Sequence, residues 1–453
     1  MSGATAERSA AYRVLRRTFE GDEHTEVAFR DEAAARGLTG RARAQAQRLS
    51  FGAVQRRGTS DAIVASFMKP GGKRPDPPVM AGLRLGIFEL LFADGTPDHA
   101  AVSQAVELVR EAGAGHAAGF VNALLRRTLR ELDRVRERLT DDSTPAAAAV
   151  AHSAPAWLAE TWFEQLGPER ARSVLAASNR PPTRAVRVNT ARLTREEAIE
   201  RYSGPDLELS LPEGPWPLAP EDLLIARGSL AAVEEAAEAG MLVSQSVGSA
   251  AVVEVLDPLP GERILDLCAG PGIKSGQIAA RIGRQGNLCS VEPVPGRADD
   301  VAEQLQRLGF HNGLVVEADA RDGEILAGFQ RVLVDAPCSD LGALASRPDA
   351  RWRKSPALIE RVAALQAEIL DRAVSFLGPG GSLVYSTCTI SARENADQVA
   401  ALAERHGLGI DDLGARAPEL ADPRDRRCLQ LLPDRDRTTG FFIARLIRPA
   451  GQG

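Results

Sequence analysis

Aromatic residues are scarce, at 4% of 453, so stacking of bases on an aromatic platform is not expected to dominate any nucleic-acid contact. Cysteine is scarce too: five, at positions 268, 289, 338, 388 and 428. An odd, scattered set without metal-ligand spacing argues against a disulfide framework and against a zinc site, so no metal is expected. Free thiols are expected instead, and any thiol of interest should matter for its reactivity. No run approaches the roughly 18 apolar residues of a membrane span. The stretch Met1 to Arg17 has no apolar segment of the secretory kind. These absences lead to the expectation of a cytoplasmic chain with no membrane partner, acting as a monomer.

What is present is enough for real cores: 44% of residues are hydrophobic and 26% charged, as in soluble globular proteins. Length points to more than one domain. The net charge of −6 looks wrong for a nucleic-acid binder, but its distribution matters more than its sum. Residues 1–140 carry a basic surplus and the remainder an acidic one. A positive front on a negative body can hold a polyanion locally, although a solvated helical surface gives the same count.

Helical periodicity dominates residues 1–140. Leu83, Ile87, Leu90 and Leu91 share a face, as do Val102, Val106 and Val109, and Val121, Leu124, Leu125 and Leu129. Lys69 to Pro78 is a Gly- and Pro-rich break. A helical bundle is expected here. Residues 141–150 read as a linker, and 151–245 as a small mixed α+β segment with a strand at Ala185 to Asn189 and a Pro-rich loop from Pro212 to Pro220. From about 246 the rhythm changes. Short β-branched runs at 263–268, 286–292, 314–319, 331–335 and 381–386 alternate with helical patterns, which predicts a doubly wound, Rossmann-like α/β domain over 246–450.

Ligands in such sheets bind beyond the carboxyl ends of the strands. The first run ends Asp266-Leu-Cys-Ala-Gly-Pro-Gly-Ile-Lys274, where Gly270 and Gly272 permit close backbone approach. The second ends in Glu292, placed to accept hydrogen bonds from ribose hydroxyls, and the third in Asp319, which could accept from an adenine amine. The turn alone admits a nucleoside cofactor, a dinucleotide or a plain tight turn. A full G-x-G-x-x-G is not met, since position 275 is Ser, and the spacing before Lys274 is not that of a P-loop. The fourth run ends Asp335-Ala-Pro-Cys-Ser339 and the fifth Tyr385-Ser-Thr-Cys-Thr389, which sets two thiols, Cys338 and Cys388, in one crevice. Paired thiols there suggest covalent or redox chemistry. Cys268, Cys289 and Cys428 read as small buried hydrophobes as far as catalysis goes.

These motifs, with Arg347-Pro-Asp-x-Arg-Trp-Arg353, the Glu394-Asn395 pair, Leu431-Leu-Pro433 and Gly440-Phe-Phe-x-Ala-Arg445, resemble the NOL1/NOP2/Sun family of RNA cytosine-C5 methyltransferases. In front, Phe51-Gly52, Pro97-x-His-Ala-Ala-Val102 and Gly119-Phe-Val-Asn-Ala-Leu-Leu-Arg126 look like a NusB-like RNA-binding domain, which marks the bacterial RsmB/Sun type acting on 16S rRNA. The resemblance implies S-adenosylmethionine as cofactor and RNA as partner. It implies Cys388 as the nucleophile and Cys338 as the thiol that breaks down the adduct. Cofactor contacts carry over to Cys268, Ala269, Gly270, Pro271, Gly272, Ile273, Lys274, Glu292, Asp319 and Asp335. Lys274 would also lower the pKa of the attacking thiol, Asp335 would hydrogen-bond the cytosine edge, and Arg347, Arg351 and Arg353 would hold phosphates.

Three positions depart from the family pattern. Ile273 replaces a glycine, and a β-branched residue at positive φ would distort the turn. Asp340 replaces Gly or Ala, and a carboxylate there would disfavour the Cys338 thiolate. Ser246 stands where Asp usually follows Gln245.

Overall fold

The structure is a computed structural model that describes residues 3–212, 218–311 and 313–451; part of the Pro-rich loop expected at 212–220 lies outside them. Two compact units emerge: Met1–Arg180 with Leu344–Arg353, and Pro181–Ala343 with Lys354–Gly453.

The first unit is all helical among its described residues. Its central helix, Pro77–Phe92, is buried on almost every side, well beyond the one face that periodicity assigned. Two charges inside it are paired: Glu89 accepts from Arg8 at 2.7 and 2.9 Å, and Arg84 donates to Asp61 at 2.7 and 2.9 Å. Helices Asp98–Val109 and Ala118–Arg130 pack their valine and leucine stripes against it. The stretch read as a linker is largely helix, Pro145–Ala151, started by Thr144, whose hydroxyl accepts from the Ala147 amide with a proline at the first turn. The alanine run that read as a spacer is simply a good helix former with a cap.

The chain also lends Leu344–Arg353 to this unit. Arg351, 1% exposed, donates to the carbonyls of Ser153 and Ser178 at 2.9 and 2.8 Å and to Asn179 Oδ1 at 3.0 Å. Trp352 Nε1 donates to the Val54 carbonyl at 2.9 Å. Arg353 pairs with Asp349 at 2.6 Å.

The second unit holds two sheets. The smaller runs β2 (Leu207–Ser210), β3 (Leu223–Gly228), β1 (Ala185–Val188), β4 (Leu242–Ser244), all antiparallel, and is covered by helices Arg195–Tyr202 and Leu230–Glu238. The larger contains β5 (Arg263–Asp266), β6 (Asn287–Glu292), β7 (Gly313–Glu317), β8 (Phe329–Asp335), β9 (Leu377–Thr387), β10 (Gly409–Ile410), β11 (Leu429–Leu431) and β12 (Phe441–Ile447). Its order is β10-β12-β9-β8-β5-β6-β7, with β11 on β12. Strands β5 to β9 are parallel; β12 joins antiparallel to β9.

Alternation sends Leu265, Val332, Val334, Leu383 and Tyr385 to one face, against helix Pro356–Phe376, and Ile264, Leu333 and Val384 to the other, against Val247–Leu256 and Ile273–Ile282. Both faces are covered, which is why these strands read as continuous apolar runs. The chain is thus multidomain: a helical bundle and a Rossmann-like α/β unit with a small α+β sheet in front. No helix among the described residues is long and apolar enough to cross a membrane.

Candidate active site

Strand order reverses between β5 and β8, the switch point where a doubly wound sheet opens a crevice. Asp266 ends β5 and Asp335 ends β8 on either side of it. On β9 the residue opposite Asp335 is Ser386, whose hydroxyl donates to Asp335 Oδ1 at 2.7 Å. That register brings the two thiols together. Cys338 lies three residues beyond Asp335 and Cys388 two beyond Ser386, and the two Sγ atoms meet at 3.3 Å. The loop then folds over the second thiol, as the Gly342 amide donates to the Cys388 carbonyl at 2.9 Å.

A buried network fixes both thiol loops. Glu394 accepts from the Ser339 amide at 2.7 Å and from its hydroxyl at 2.5 Å. Ser339 and Thr389 hydroxyls are 2.8 Å apart, and Thr387 donates to Asn395 Oδ1 at 2.6 Å. Gln366 donates to the Pro337 carbonyl at 2.9 Å. In the sequence Glu394 and Asn395 stand out only as motif letters, and nothing there gives Ser339 or Gln366 a role. The one signal is the placement of Glu394-Asn395 shortly after Cys388.

Cys388 also donates to Asp340 Oδ1 at 3.1 Å, while Lys354 holds the other carboxylate oxygen at 3.0 Å. The hydrogen bond with Cys338, burial, and the charges of Cys338, Asp340 and Asp335 all push the Cys388 thiol well above its usual range. Burial also pushes the Cys289 thiol up to about 11 and raises those of Cys268 and Cys428 well above the usual range.

At the glycine turn, Gly270 (φ 54°) and Gly272 (φ 80°) take the left-handed conformation. A Cβ on Gly270 would meet nothing within 4 Å, so that backbone faces open space. Glu292 braces the turn, accepting from the Gly270 amide at 3.1 Å and the Val294 amide at 3.2 Å. Asp266 accepts from Ser275 at 2.7 Å, but its Oδ1 is buried without a hydrogen-bond partner. Burial raises this carboxyl to about 6. An open glycine backbone, a poised carboxylate and an orphaned acceptor at a switch point fit a nucleoside cofactor.

Comparison with known proteins agrees. Residues 253–447 match the family described as 16S rRNA methyltransferase RsmB/F, residues 5–130 the NusB family, and 154–212 the RsmF/B-like ferredoxin-like domain. A putative methyltransferase of Mycobacterium tuberculosis is 34% identical, with 97% of this chain and 96% of that one aligned. The ribosomal RNA small subunit methyltransferase B of Serratia proteamaculans is 31% identical over 81% of each. The chain belongs to the RsmB/F family of 16S rRNA methyltransferases. As a member it is an S-adenosylmethionine-dependent RNA methyltransferase. Among solved structures, PH0851 gives a TM-score of 0.79 at 24% identity, over 98% of this chain and 99% of that one. NSun6 from Pyrococcus horikoshii with SFG gives 0.54 at 23%, over 66% and 99%. These likenesses concern the fold.

Several residues named from the family pattern have partners or conformations that the sequence did not show. Ile273 is not at positive φ: it opens helix Ile273–Ile282, and the left-handed residue is Gly272 before it. Asp340 hydrogen-bonds Cys388, so its carboxylate bears on that thiol as well as on Cys338, and it is Asp340 that takes positive φ, 58°. Lys274 is 2.5 Å from Asp335 Oδ2 and shares its charge with that carboxylate. Asp319 is held by Arg321 at 2.8 and 2.9 Å, which lowers its carboxyl to about 2. Arg351 is sealed among carbonyls and cannot reach a phosphate. Ser246 performs a cap's work, accepting from the Ser249 amide at 3.2 Å at the start of Val247–Leu256.

Proposed function

We propose that this enzyme methylates C5 of a cytosine in 16S rRNA through a covalent bond from Cys388 to C6. The observation that carries the reading is the meeting of Cys338 and Cys388 at 3.3 Å beside the cofactor crevice. C5 of cytosine is a poor nucleophile. Addition of a thiolate at C6 makes C5 an enamine carbon able to accept an alkyl group. A second group must then take the C5 proton as the C6–sulfur bond breaks. One thiol cannot do both jobs at once, and two thiols within contact of one ring can.

Each residue has a separate task. Cys388 loses its proton, with Asp340 Oδ1 as the nearest acceptor at 3.1 Å, and attacks C6. Bound S-adenosylmethionine supplies a methyl group on a positively charged sulfur. Cys338, having lost its own proton to solvent, takes the C5 proton as a thiolate. The C5–H electron pair re-forms the C5–C6 double bond, and Cys388 leaves with the electron pair of the C6–sulfur bond and regains its proton from Asp340. Asp335, fixed by Ser386 and Lys274, is set to hydrogen-bond the cytosine edge. Cys268 to Lys274, Glu292, Asp319 and Asp266 would hold the cofactor. The same hydrogen bond and burial push the Cys388 thiol up in the free protein, so its activation is assigned to the complex with RNA.

The target base must be out of a stack to reach such a crevice. We assign the basic helical segment 1–140 to holding the RNA, 151–245 to a small accessory domain and 246–450 to catalysis, with the whole acting in the cytoplasm. The test uses transfer to small-subunit RNA. Cys388→Ala is expected to lower the rate on the order of 10³-fold or more, and Cys338→Ala to accumulate protein covalently joined to RNA. Full activity in Cys388→Ala would overturn the assignment.

A further inference from the structure

Spacing along the chain gives no hint of a metal site, yet folding brings three ligand atoms together. Cys338 Sγ, Cys388 Sγ and a carboxylate oxygen of Asp340 all lie within 4.8 Å of one another. The sulfurs are 3.3 Å apart, and Asp340 Oδ1 is 3.1 Å from Cys388. We propose that Cys338, Cys388 and Asp340 form a binding site for a thiophilic divalent cation such as zinc, and that its occupation reversibly switches the enzyme off.

The dimensions suit the ion. Tetrahedral zinc with bonds of about 2.3 Å to sulfur and about 2.0–2.2 Å to oxygen asks for sulfur–sulfur separations of about 3.8 Å and sulfur–oxygen separations of about 3.5 Å. The sulfur–sulfur and Cys388–Asp340 separations each need to open by only about half an ångström for that geometry, and Cys338 Sγ and the Asp340 oxygen lie within 4.8 Å. The donor types also fit, since two thiolates and a carboxylate select zinc over magnesium or calcium. Binding is a proton exchange: the cation replaces the two thiol protons, which leave to solvent, and no electron is transferred.

Charge closes as well. Two thiolates and one carboxylate carry −3, which the dication and the Lys354 ammonium, 3.0 Å from Asp340 Oδ2, balance. Of the other carboxylates near the thiols, Asp335 has its own counterion in Lys274 at 2.5 Å and Glu394 accepts from the Ser339 amide and hydroxyl. Lys354 grips one oxygen of Asp340 and so leaves the other directed at Cys388. Asp340 is also the residue held at φ 58°, where a side chain is uncommon and a glycine would be at ease. Without its carboxylate the site would have two donors instead of three, so the aspartate at this position is what makes a site of a thiol pair.

Cation binding requires only this geometry. That it stops catalysis rests on the proposed reaction, in which both thiols take part and both of which the ion would occupy. The test uses the full-length reduced chain and zinc chloride alone, without RNA or cofactor, titrated against a chromogenic chelator. Alkylation with mass mapping identifies protected thiols, and cobalt(II) serves as a spectroscopic substitute. One ion per chain is expected, with Cys338 and Cys388 protected and a thiolate-to-cobalt absorption band. Cys338→Ser and Cys388→Ser should each lose the band. Asp340→Gly should weaken zinc by about tenfold or more. Should that variant fail to fold, Asp340→Asn carries the same expectation. Protection of Cys268, Cys289 or Cys428 instead, or unchanged affinity in both Asp340 variants, would overturn the site. Zinc that binds as described while methyl transfer proceeds would leave the site standing and remove the switch, along with the thiols' assigned roles.

Discussion

The two ends of the crevice, only one strand apart at β5 and β8, are built on opposite plans. At the glycine turn polar groups wait. Gly270 faces open space, Asp266 keeps an unpartnered oxygen, and Glu292 holds two backbone amides with its carboxylate. At the thiol end almost everything is already bonded: Ser339, Thr389, Glu394 and Asn395 close a buried network under two sulfurs that touch. The first end is arranged to receive a ligand, and the second holds the two sulfurs to a fixed geometry. That difference matches the tasks proposed for them. Binding tolerates adjustment, whereas attack on a ring carbon loses rate steeply with small misplacement.

Disturbing the rigid end should have the largest effect. Glu394→Ala strands the Ser339 amide in the interior and leaves its hydroxyl with Thr389 alone. Transfer is expected to fall about 10²-fold, and unfolding free energy by about 3 kcal/mol, read by turnover assays and by urea melts. If turnover survives with stability lost, the network is scaffolding alone.

The waiting end should announce itself through pH. The Asp266 carboxyl is raised to about 6 in the folded chain, against 3.8 ordinarily. Between about pH 4 and 6 the folded form therefore holds a proton that the unfolded form has released. Stability is expected to fall as pH rises through that window, by up to about 3 kcal/mol, and this contribution to be fully lost above it. Asp266→Asn should remove this slope. Comparison of cofactor-free wild type and variant by urea melts at about pH 4, 5, 6 and 7 checks it; parallel curves would contradict it.

A smaller effect is expected at Gly270. Alanine at φ 54° costs about 1–2 kcal/mol and puts a methyl group where the backbone faces open space. S-adenosylmethionine affinity by calorimetry should fall about tenfold. The smallest belongs to Ile273, which sits in helical conformation. Ile273→Gly should cost at most about 1 kcal/mol of stability and leave cofactor affinity unchanged. Tighter binding would revive the idea that isoleucine distorts the turn.

Much of the fold and of the site is readable from the chain. The strand ends at Asp266, Glu292, Asp335 and Ser386 follow from short apolar runs stopped by polar residues, and the two thiols from their place just past such stops. What cannot be read depends on register and on distant packing. Lys274 lies 61 positions before Asp335 and Asp340 lies 48 before Cys388, yet each pair is in contact. Arg351, in a stretch that reads as an exposed basic loop, is buried because carbonyls of residues far earlier in the chain surround it. The small sheet likewise carries weak local signals, since strands of three and four residues, as β1, β2 and β4 are, show too little alternation to stand out, and the pairing of β12 with β9 is a matter of register between distant segments.

The most direct test asks which sulfur holds the base. Cys338→Ala protein incubated with S-adenosylmethionine and small-subunit RNA should yield a denaturation-resistant adduct. Digestion and mass spectrometry should place the methylated nucleotide on Cys388, and the Cys338→Ala/Cys388→Ala double variant should give none. An adduct on any other residue, or methylated RNA from the double variant, would contradict the account.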